Sequence, residues 1–150
     1  MPVGTVSAMK STSLIAAAAL TLLSCLVAPD AQAATCSGSG CNGKDPADTG
    51  CSAGSTVADT AGMFASGTAE LRWSPTCRTN WVRVSNYSGG DSALRITVWT
   101  SNDRVGFVSP GTPGNHWGNM VYAPGCARGE VLYVDSDGAH HAARLQSSDC

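Results

Sequence analysis

Six cysteines follow the apolar N-terminal segment, and they constrain the fold of this chain more than any other feature. They are Cys36, Cys41, Cys51, Cys77, Cys126 and Cys150. An even number of cysteines in an exported chain predicts three disulfides, because nothing keeps thiols reduced outside the cell. The sequence leaves many pairings open. Only Cys126–Cys150 is weakly favoured, because both residues lie in the C-terminal part.

The prediction of export rests on the first 33 residues. Lys10 precedes an apolar run over residues 13–28, and the segment ends in the A-x-A pattern of residues 31–33. This is the layout of a secretory signal peptide, and the apolar run is shorter than the roughly 20 residues that cross a bilayer. We therefore predict a signal peptide at 1–33 and a single secreted, extracellular domain at 34–150.

A second way of processing the N-terminus remains open. Residues 22–25, LLSC, resemble a lipobox, in which Cys25 would be lipidated and would anchor the protein at the cell surface. The apolar run continues past Cys25 and the A-x-A site follows it, so a free secreted product is favoured. Unless Cys25 is lipidated, no membrane partner is expected.

The charge of the chain argues against nucleic acid as a partner. Residues 34–150 carry Lys44 and seven arginines against ten acidic residues, which gives a net charge of −2. Nucleic-acid-binding proteins instead concentrate basic residues in a patch that contacts phosphates. We therefore expect no nucleic-acid partner.

Short alternating segments between turn residues predict a mainly β fold. The predicted strands are 67–73, 80–87, 93–100, 104–109, 119–123, 130–136 and 140–147. About seven strands at this spacing indicate a small disulfide-stapled sandwich or a partly open barrel. Segment 34–55 has no periodicity, so we predict an irregular cystine-rich loop packed on the sheet. Residues 110–118, PGTPGNHWG, are too rich in Pro and Gly to predict regular structure.

The aliphatic positions of these strands predict the hydrophobic core. Its members are Leu71, Val82, Val84, Leu94, Ile96, Val98, Val131, Leu132 and Val134, with some of the tryptophans. A domain of about this length buries enough apolar surface to form a genuine core, so the disulfides supplement it.

Two possible metal sites are weak. Asn42, Asp45 and Asp48 offer oxygen atoms, but their spacing does not match an EF-hand loop and Pro46 stiffens the middle. Aspartates in such a segment more often cap turns through their own side chains. The cysteines contain no C-x-x-C pair of the kind zinc sites use. We predict no metal ligands and no cofactor.

The match to a catalytic motif is also weak. Residues 89–94, GGDSAL, resemble the sequence around a serine protease nucleophile, but Ala93 replaces a glycine and every histidine follows Ser92. A hairpin turn is the favoured interpretation. His140 and His141 are adjacent, so on a strand they point to opposite faces and do not chelate one ion together. We predict no catalytic residue.

The best binding signal is the placement of two tryptophans. Trp81 and Trp99 alternate with the aliphatic residues of their own strands and share the opposite face with Arg83 and Arg95. If these strands are neighbours, the four residues form one ligand-binding face, because indole stacks on sugar rings and arginine donates hydrogen bonds. The favoured alternative is that this face is covered and the tryptophans belong to the core, since tryptophan is highly buried on average.

Two blocks of sequence carry a family resemblance. Residues 36–51, CSGSGCNGKDPADTGC, and residues 69–84, AELRWSPTCRTNWVRV, resemble secreted or surface proteins of actinobacteria that carry the domain of unknown function 2690. Trp73 stands where those relatives usually have tyrosine. The resemblance implies export and a shared scaffold, and it adds no activity. It also implies that Lys44 and Asp45 hold the cystine-rich segment on the sheet by pairing with Arg72 or Glu70.

The sequence therefore predicts an exported, non-catalytic binding module. Its expected partner is a cell-wall glycan or another surface protein. Two alternatives remain, which are a structural envelope protein and a small secreted hydrolase that uses Ser92, Asp91 or a histidine.

Overall fold

The computed structural model of the chain describes residues 33–90 and 92–150. Cys25 and nearly all of the predicted signal peptide lie outside these ranges, so both remain predictions. In the described residues, no helix is long and apolar enough to cross a membrane.

Nine antiparallel strands form two sheets in the described residues. They are β1 (Thr56–Gly62), β2 (Thr68–Ser74), β3 (Thr79–Tyr87), β4 (Leu94–Trp99), β5 (Arg104–Ser109), β6 (Gly114–Trp117), β7 (Val121–Tyr122), β8 (Arg128–Val134) and β9 (His140–Gln146). Sheet A has the order β1-β2-β3-β6, and β7 also pairs with β3. Sheet B has the order β5-β4-β8-β9. The predicted mainly β, disulfide-stapled fold is confirmed, as an open arrangement of two sheets.

The hydrophobic core lies between the inner faces of the two sheets. Seven of the nine predicted core residues are buried there, namely Leu71, Val82, Val84, Leu94, Ile96, Val98 and Val131. The sheets approach closely at Gly129, where an added Cβ would lie 2.4 Å from a methyl carbon of Val82. Alternating apolar residues therefore bury one face of each strand, as the period of a strand requires.

The prediction that Leu132 and Val134 belong to the core is wrong. Leu132 is 41 % exposed and Val134 is half-buried. Both alternate with Val131 and Tyr133, which are buried on the inner face of β8. Because successive side chains point to opposite faces, Leu132 and Val134 lie on the outer face of sheet B.

Two strands have no counterpart in the sequence-based prediction. β1 is an edge strand with no fully buried residue, so its sequence carries little hydrophobic alternation. β6 lies inside residues 110–118, for which we predicted no regular structure, and that prediction is wrong. β6 forms because it pairs with the central strand β3, through Arg83 opposite Trp117 and Val84 opposite His116.

Three disulfides join the six cysteines, as the sequence predicts. Cys126–Cys150 confirms the favoured pair, and Cys36–Cys41 and Cys51–Cys77 complete the set. Cys51–Cys77 ties the cystine-rich segment to the turn between β2 and β3. Such a set of bonds is typical of proteins that fold in an oxidising compartment.

The cystine-rich segment packs on the outer face of sheet A. Its buried Cys41 and Cys51 contact Cys77, Trp81 and Met120 in a second hydrophobic cluster. Backbone hydrogen bonds fix the segment, because the Gly43 amide donates to the Met120 carbonyl and the Met120 amide donates to the Lys44 carbonyl, both at 2.9 Å. The predicted irregular loop on the sheet is therefore confirmed, with one short 3₁₀ turn at Gly38–Cys41.

The expected pairing of Lys44 and Asp45 with Arg72 or Glu70 is wrong. Arg72 instead forms an ion pair with Glu70 at 3.3 Å, within its own strand. One Asp45 oxygen accepts the indole N–H of Trp117 at 2.9 Å, and the other accepts the Ala47 amide at 2.7 Å. Asp45 therefore caps a turn and fastens the segment to β6, while Lys44 acts through its backbone.

Candidate functional site

The structure divides the four predicted ligand-binding residues between two sheets. Trp81 and Arg83 lie on β3 in sheet A, whereas Arg95 and Trp99 lie on β4 in sheet B. The strands follow each other in sequence but are not neighbours in a sheet, so the condition for one shared face is not met. The two pairs of residues belong to the two opposite outer surfaces of the sandwich.

Trp81 belongs to a core. It is 3 % exposed and packs beneath the cystine-rich segment with the buried sulfur atoms and Met120. The indole therefore contributes to stability where the segment meets sheet A. Arg83, two residues later on the same face, is half-buried at the edge of that segment.

Trp99 lies on an open surface. We define the open face as the outer face of sheet B, formed by Arg95, Trp99, Arg104, Val108, Arg128, Glu130, Leu132 and Arg144. The pairing register places Trp99 between Arg104 on β5 and Arg128 on β8. The Arg104 guanidinium lies over the Trp99 ring, 5.1 Å from its centroid. This cation–π contact orients both side chains toward the same surface.

The open face is strongly basic for this chain. Its strands carry four of the chain's seven arginines and one acidic residue, Glu130, and Asp59 of β1 also lines the groove beside Trp99. Arg144 forms an ion pair with Glu130 at 3.1 Å, and Arg128 donates to the Gln146 side chain at 3.2 Å. Because the chain as a whole is net negative, the other surfaces are acidic on average. The field of the open face therefore favours an anionic partner.

Apolar side chains continue the open face beside Arg95. Its cross-strand neighbours are Val108, which is 62 % exposed, and Leu132, which is 41 % exposed. The face of an antiparallel sheet that is turned away from the core is ordinarily solvated and polar. Apolar residues between arginines instead suit a ligand with both apolar and charged surface.

Ser92 lines one groove with His140 and His141, but no hydrogen bond joins it to a histidine in the described residues. Asp91 lies outside the described residues. His116 instead accepts the Ser109 hydroxyl hydrogen at Nδ1, over 2.7 Å, and donates from Nε2 to the Thr112 carbonyl, over 2.8 Å. Ser109 and His116 are 5 % and 8 % exposed. This buried pair closes the loop before β6, and sequence reasoning missed Ser109 because no motif surrounds it.

His141 takes part in a separate cluster at the start of β9. Its Nε2 lies 2.6 Å from an Asp135 carboxylate oxygen, and its ring stacks on Tyr133 with the centroids 5.1 Å apart. The other Asp135 oxygen accepts the amides of Asp137 and Ala139, both at 2.9 Å. Hydrogen bonding to His141, followed by the Ala139 amide, lowers the pKa of Asp135 below its ordinary value of 3.8. The turn at 135–138 is thus held by a charged aspartate.

Replacing Asp135 with asparagine is expected to flatten the acid limb of the stability profile. A lowered pKa in the folded state stabilises the protein above the ordinary pKa of 3.8, and this contribution disappears as the pH falls through the lowered value. The wild type should therefore lose more stability than Asp135→Asn in this acidic window. Urea unfolding measured at pH values above and below that window tests this. Parallel profiles for the two proteins would contradict it.

The four cysteines of the cystine-rich cluster bring their sulfur atoms together. The Sγ atoms of Cys36, Cys41, Cys51 and Cys77 lie within 4.8 Å of one another. Four thiolates at this spacing would suit a tetrahedral metal ion. In this structure the sulfurs are bonded in pairs and are not thiolates, so the cluster acts as a covalent staple.

Comparison with known proteins adds a family and no activity. No curated protein and no solved structure matches the chain. The family model described as "Protein of unknown function (DUF2690)" matches residues 39–132, from the cystine-rich segment to β8. This match covers more than half of the chain, which therefore belongs to the DUF2690 family.

Proposed function

We propose that the protein is an exported, non-catalytic binding module of an actinobacterial type, and that its open face binds an anionic cell-wall glycan. The observation that carries this proposal is the row Arg104, Trp99 and Arg128 across three adjacent strands. The indole supplies a rigid surface for a sugar ring, and the guanidinium groups on both sides supply donors for carboxylate or phosphate groups.

The shape of the open face supports an extended ligand. It is a four-stranded sheet surface with two shallow grooves, one beside Trp99 and one between Val108 and Leu132. A polymer lying along the strands meets charge and an aromatic ring at one end and apolar groups at the other. The proposed export agrees with three disulfides and with the apolar N-terminal segment.

Binding to a polyuronate and to neutral dextran tests the proposal. We expect the oxidised wild-type protein to bind immobilised polygalacturonate in a salt-dependent manner and to bind dextran much more weakly. Trp99→Ala and the double variant Arg104→Gln/Arg128→Gln should each weaken polygalacturonate binding by about 10-fold, the size expected when a stacking or charge-assisted contact is lost.

The matched control is Arg78→Gln. Arg78 lies in the turn before β3, away from the open face, with its guanidinium over the Tyr122 ring. This change removes one positive charge elsewhere on the molecule, so binding should remain near the wild-type level. If Arg78→Gln weakened polygalacturonate binding as much as the open-face variants do, the net charge of the protein would explain the binding. That result would overturn the proposal. Unchanged binding in Trp99→Ala would do the same.

A further inference from the structure

A cleft separates the cystine-rich segment from the outer face of sheet A, on the side of the molecule opposite the open face. Its volume is about 240 Å³, and its lining includes Ser52, Ser55, Arg72, Arg83, Asn115 and Trp117. This volume lies below the range of about 300–1,000 Å³ that is usual for drug-sized ligands. The cleft therefore suits a single ring or chain end.

Arg83 is the charged group of this cleft without a partner. It is half-buried on β3, opposite Glu70 on β2 and Trp117 on β6. The Glu70 carboxylate is held by Arg72 at 3.3 Å. Among residues 33–90 and 92–150, the Arg83 guanidinium makes no hydrogen bond or ion pair. Partial burial of an unpaired guanidinium costs free energy, which an anion bound there would recover.

The neighbouring Arg72 is already in use and holds the wall of the cleft. Its Nη2 donates to both the backbone carbonyl and the hydroxyl of Ser55, each at 2.9 Å. The lining formed by the described residues thus includes two guanidinium groups and no carboxylate, while the neighbouring Glu70 and Asp45 carboxylates are held by Arg72 and Trp117. Because Arg72 is fixed to the cystine-rich segment, Arg83 alone can turn its planar fork toward a ligand.

Trp117 provides a rigid flat surface next to Arg83. The indole is 39 % exposed, and its N–H donates to Asp45 at 2.9 Å. Asp45 is itself fixed by the Ala47 amide, so the ring plane is held in advance of binding. Asn115, on the same strand, uses its carbonyl oxygen for the Asn86 amide at 3.1 Å. Its side-chain amide nitrogen has no partner within the described part of the chain and can donate to a ligand.

We propose that this cleft binds one acidic sugar residue, whose carboxylate pairs with Arg83 and whose ring lies against Trp117. A bidentate contact of carboxylate with guanidinium fixes the acid group. Aromatic stacking and the polar groups of Ser52 and Asn115 suit a hydroxyl-bearing ring. The whole cleft lies within the residues matched by the family model, whereas the open face extends beyond them to Arg144. The site is separate from the open face and does not depend on it.

Nuclear magnetic resonance titration of the oxidised protein with glucuronate tests this site. We expect saturable shifts at the side-chain N–H groups of Arg83, Asn115 and Trp117, and none with glucose. Arg83→Gln should weaken glucuronate binding by about 10-fold or more, the size expected for a lost charge-assisted hydrogen-bond pair. Arg83→Lys should be intermediate, because it keeps the charge and loses the planar fork.

Two controls separate this site from its alternatives. Trp99→Ala should leave the glucuronate-induced shifts at Arg83, Asn115 and Trp117 unchanged, so a failure of the open-face proposal does not affect this result. A titration with N-acetylalanine, compared with its amide, tests whether any small carboxylate binds the cleft. Equal binding of N-acetylalanine and glucuronate would assign the cleft to carboxylates in general and overturn the sugar class. Glucuronate shifts that persist in Arg83→Gln would overturn the site itself.

Discussion

Replacing Trp81 with alanine is expected to lower the free energy of unfolding by about 3–5 kcal/mol, the usual cost of removing a large buried aromatic side chain. The same change at Trp99 should cost about 1 kcal/mol or less, because a half-buried side chain on a solvated sheet face leaves no enclosed cavity. The two costs differ because the outer face of sheet A is covered at Trp81, whereas the outer face of sheet B is open at Trp99. The cystine-rich segment covers Trp81, which is 3 % exposed, whereas Trp99 lies on the outer face of sheet B with the Arg104 guanidinium over its ring.

Guanidinium chloride unfolding of the oxidised proteins measures both values. Trp99→Ala serves as the control for Trp81→Ala, since both remove an indole from the outward face of a strand. If Trp81→Ala were as stable as Trp99→Ala, the cystine-rich segment would not be packed on sheet A. If Trp99→Ala unfolded the protein, the open face would be a covered surface and the proposed binding site would be lost.

The alternation of residues predicted which side of each strand is buried, but it could not assign strands to sheets. Leu94, Ile96 and Val98 alternate with Arg95 and Trp99 in the structure, as the sequence indicates. Whether β4 pairs with β3 or with β8 depends on contacts between residues far apart in sequence. A single face shared by Trp81 and Trp99 requires β3 to pair with β4, which the sequence alone does not determine. In the structure β3 and β4 lie in different sheets.

The cleft around Arg83 was accessible to sequence reasoning only in part. Alternation placed Arg83 on the same face as Trp81, and the structure agrees. Trp117 and Asn115 gave no local signal, because β6 is a short strand in a segment rich in Pro and Gly that forms by pairing with β3. Glu70 pairs with Arg72 and leaves the Arg83 guanidinium without a partner. This choice depends on side-chain geometry, which the spacing of residues in the sequence does not determine.

The disulfides also divide into one pair that the sequence favours and one that depends on contacts between distant parts of the chain. Cys126–Cys150 could be favoured because both residues belong to one end of the chain. Cys51–Cys77 spans two structural units, the cystine-rich segment and the turn between β2 and β3. Three cysteines lie close together in sequence at 36–51, so several pairings with Cys77 were equally acceptable before the fold was known.

Removing the Cys51–Cys77 bond by the double change Cys51→Ala/Cys77→Ala is expected to cost about 3.5 kcal/mol of stability. The bond joins residues separated by 26 positions, whereas Cys36–Cys41 joins residues separated by 5. In the chain-entropy account, a longer closed loop restricts the unfolded chain more, so Cys36→Ala/Cys41→Ala should cost only about 2 kcal/mol. Both values come from denaturant unfolding under oxidising conditions.

Cysteines must be replaced in pairs, because the two bonds are in contact. The Cys51 sulfur lies 3.8 Å from that of Cys36 and 4.0 Å from that of Cys41. A single replacement would therefore leave a free thiol within reach of an intact disulfide, and thiolate attack would exchange the bonds. Peptide mapping of each double variant verifies that the remaining pairs are native. A larger loss for the Cys36–Cys41 pair than for Cys51–Cys77 would show that native packing around the partly exposed Cys36, and not loop closure, sets the contribution of this cluster.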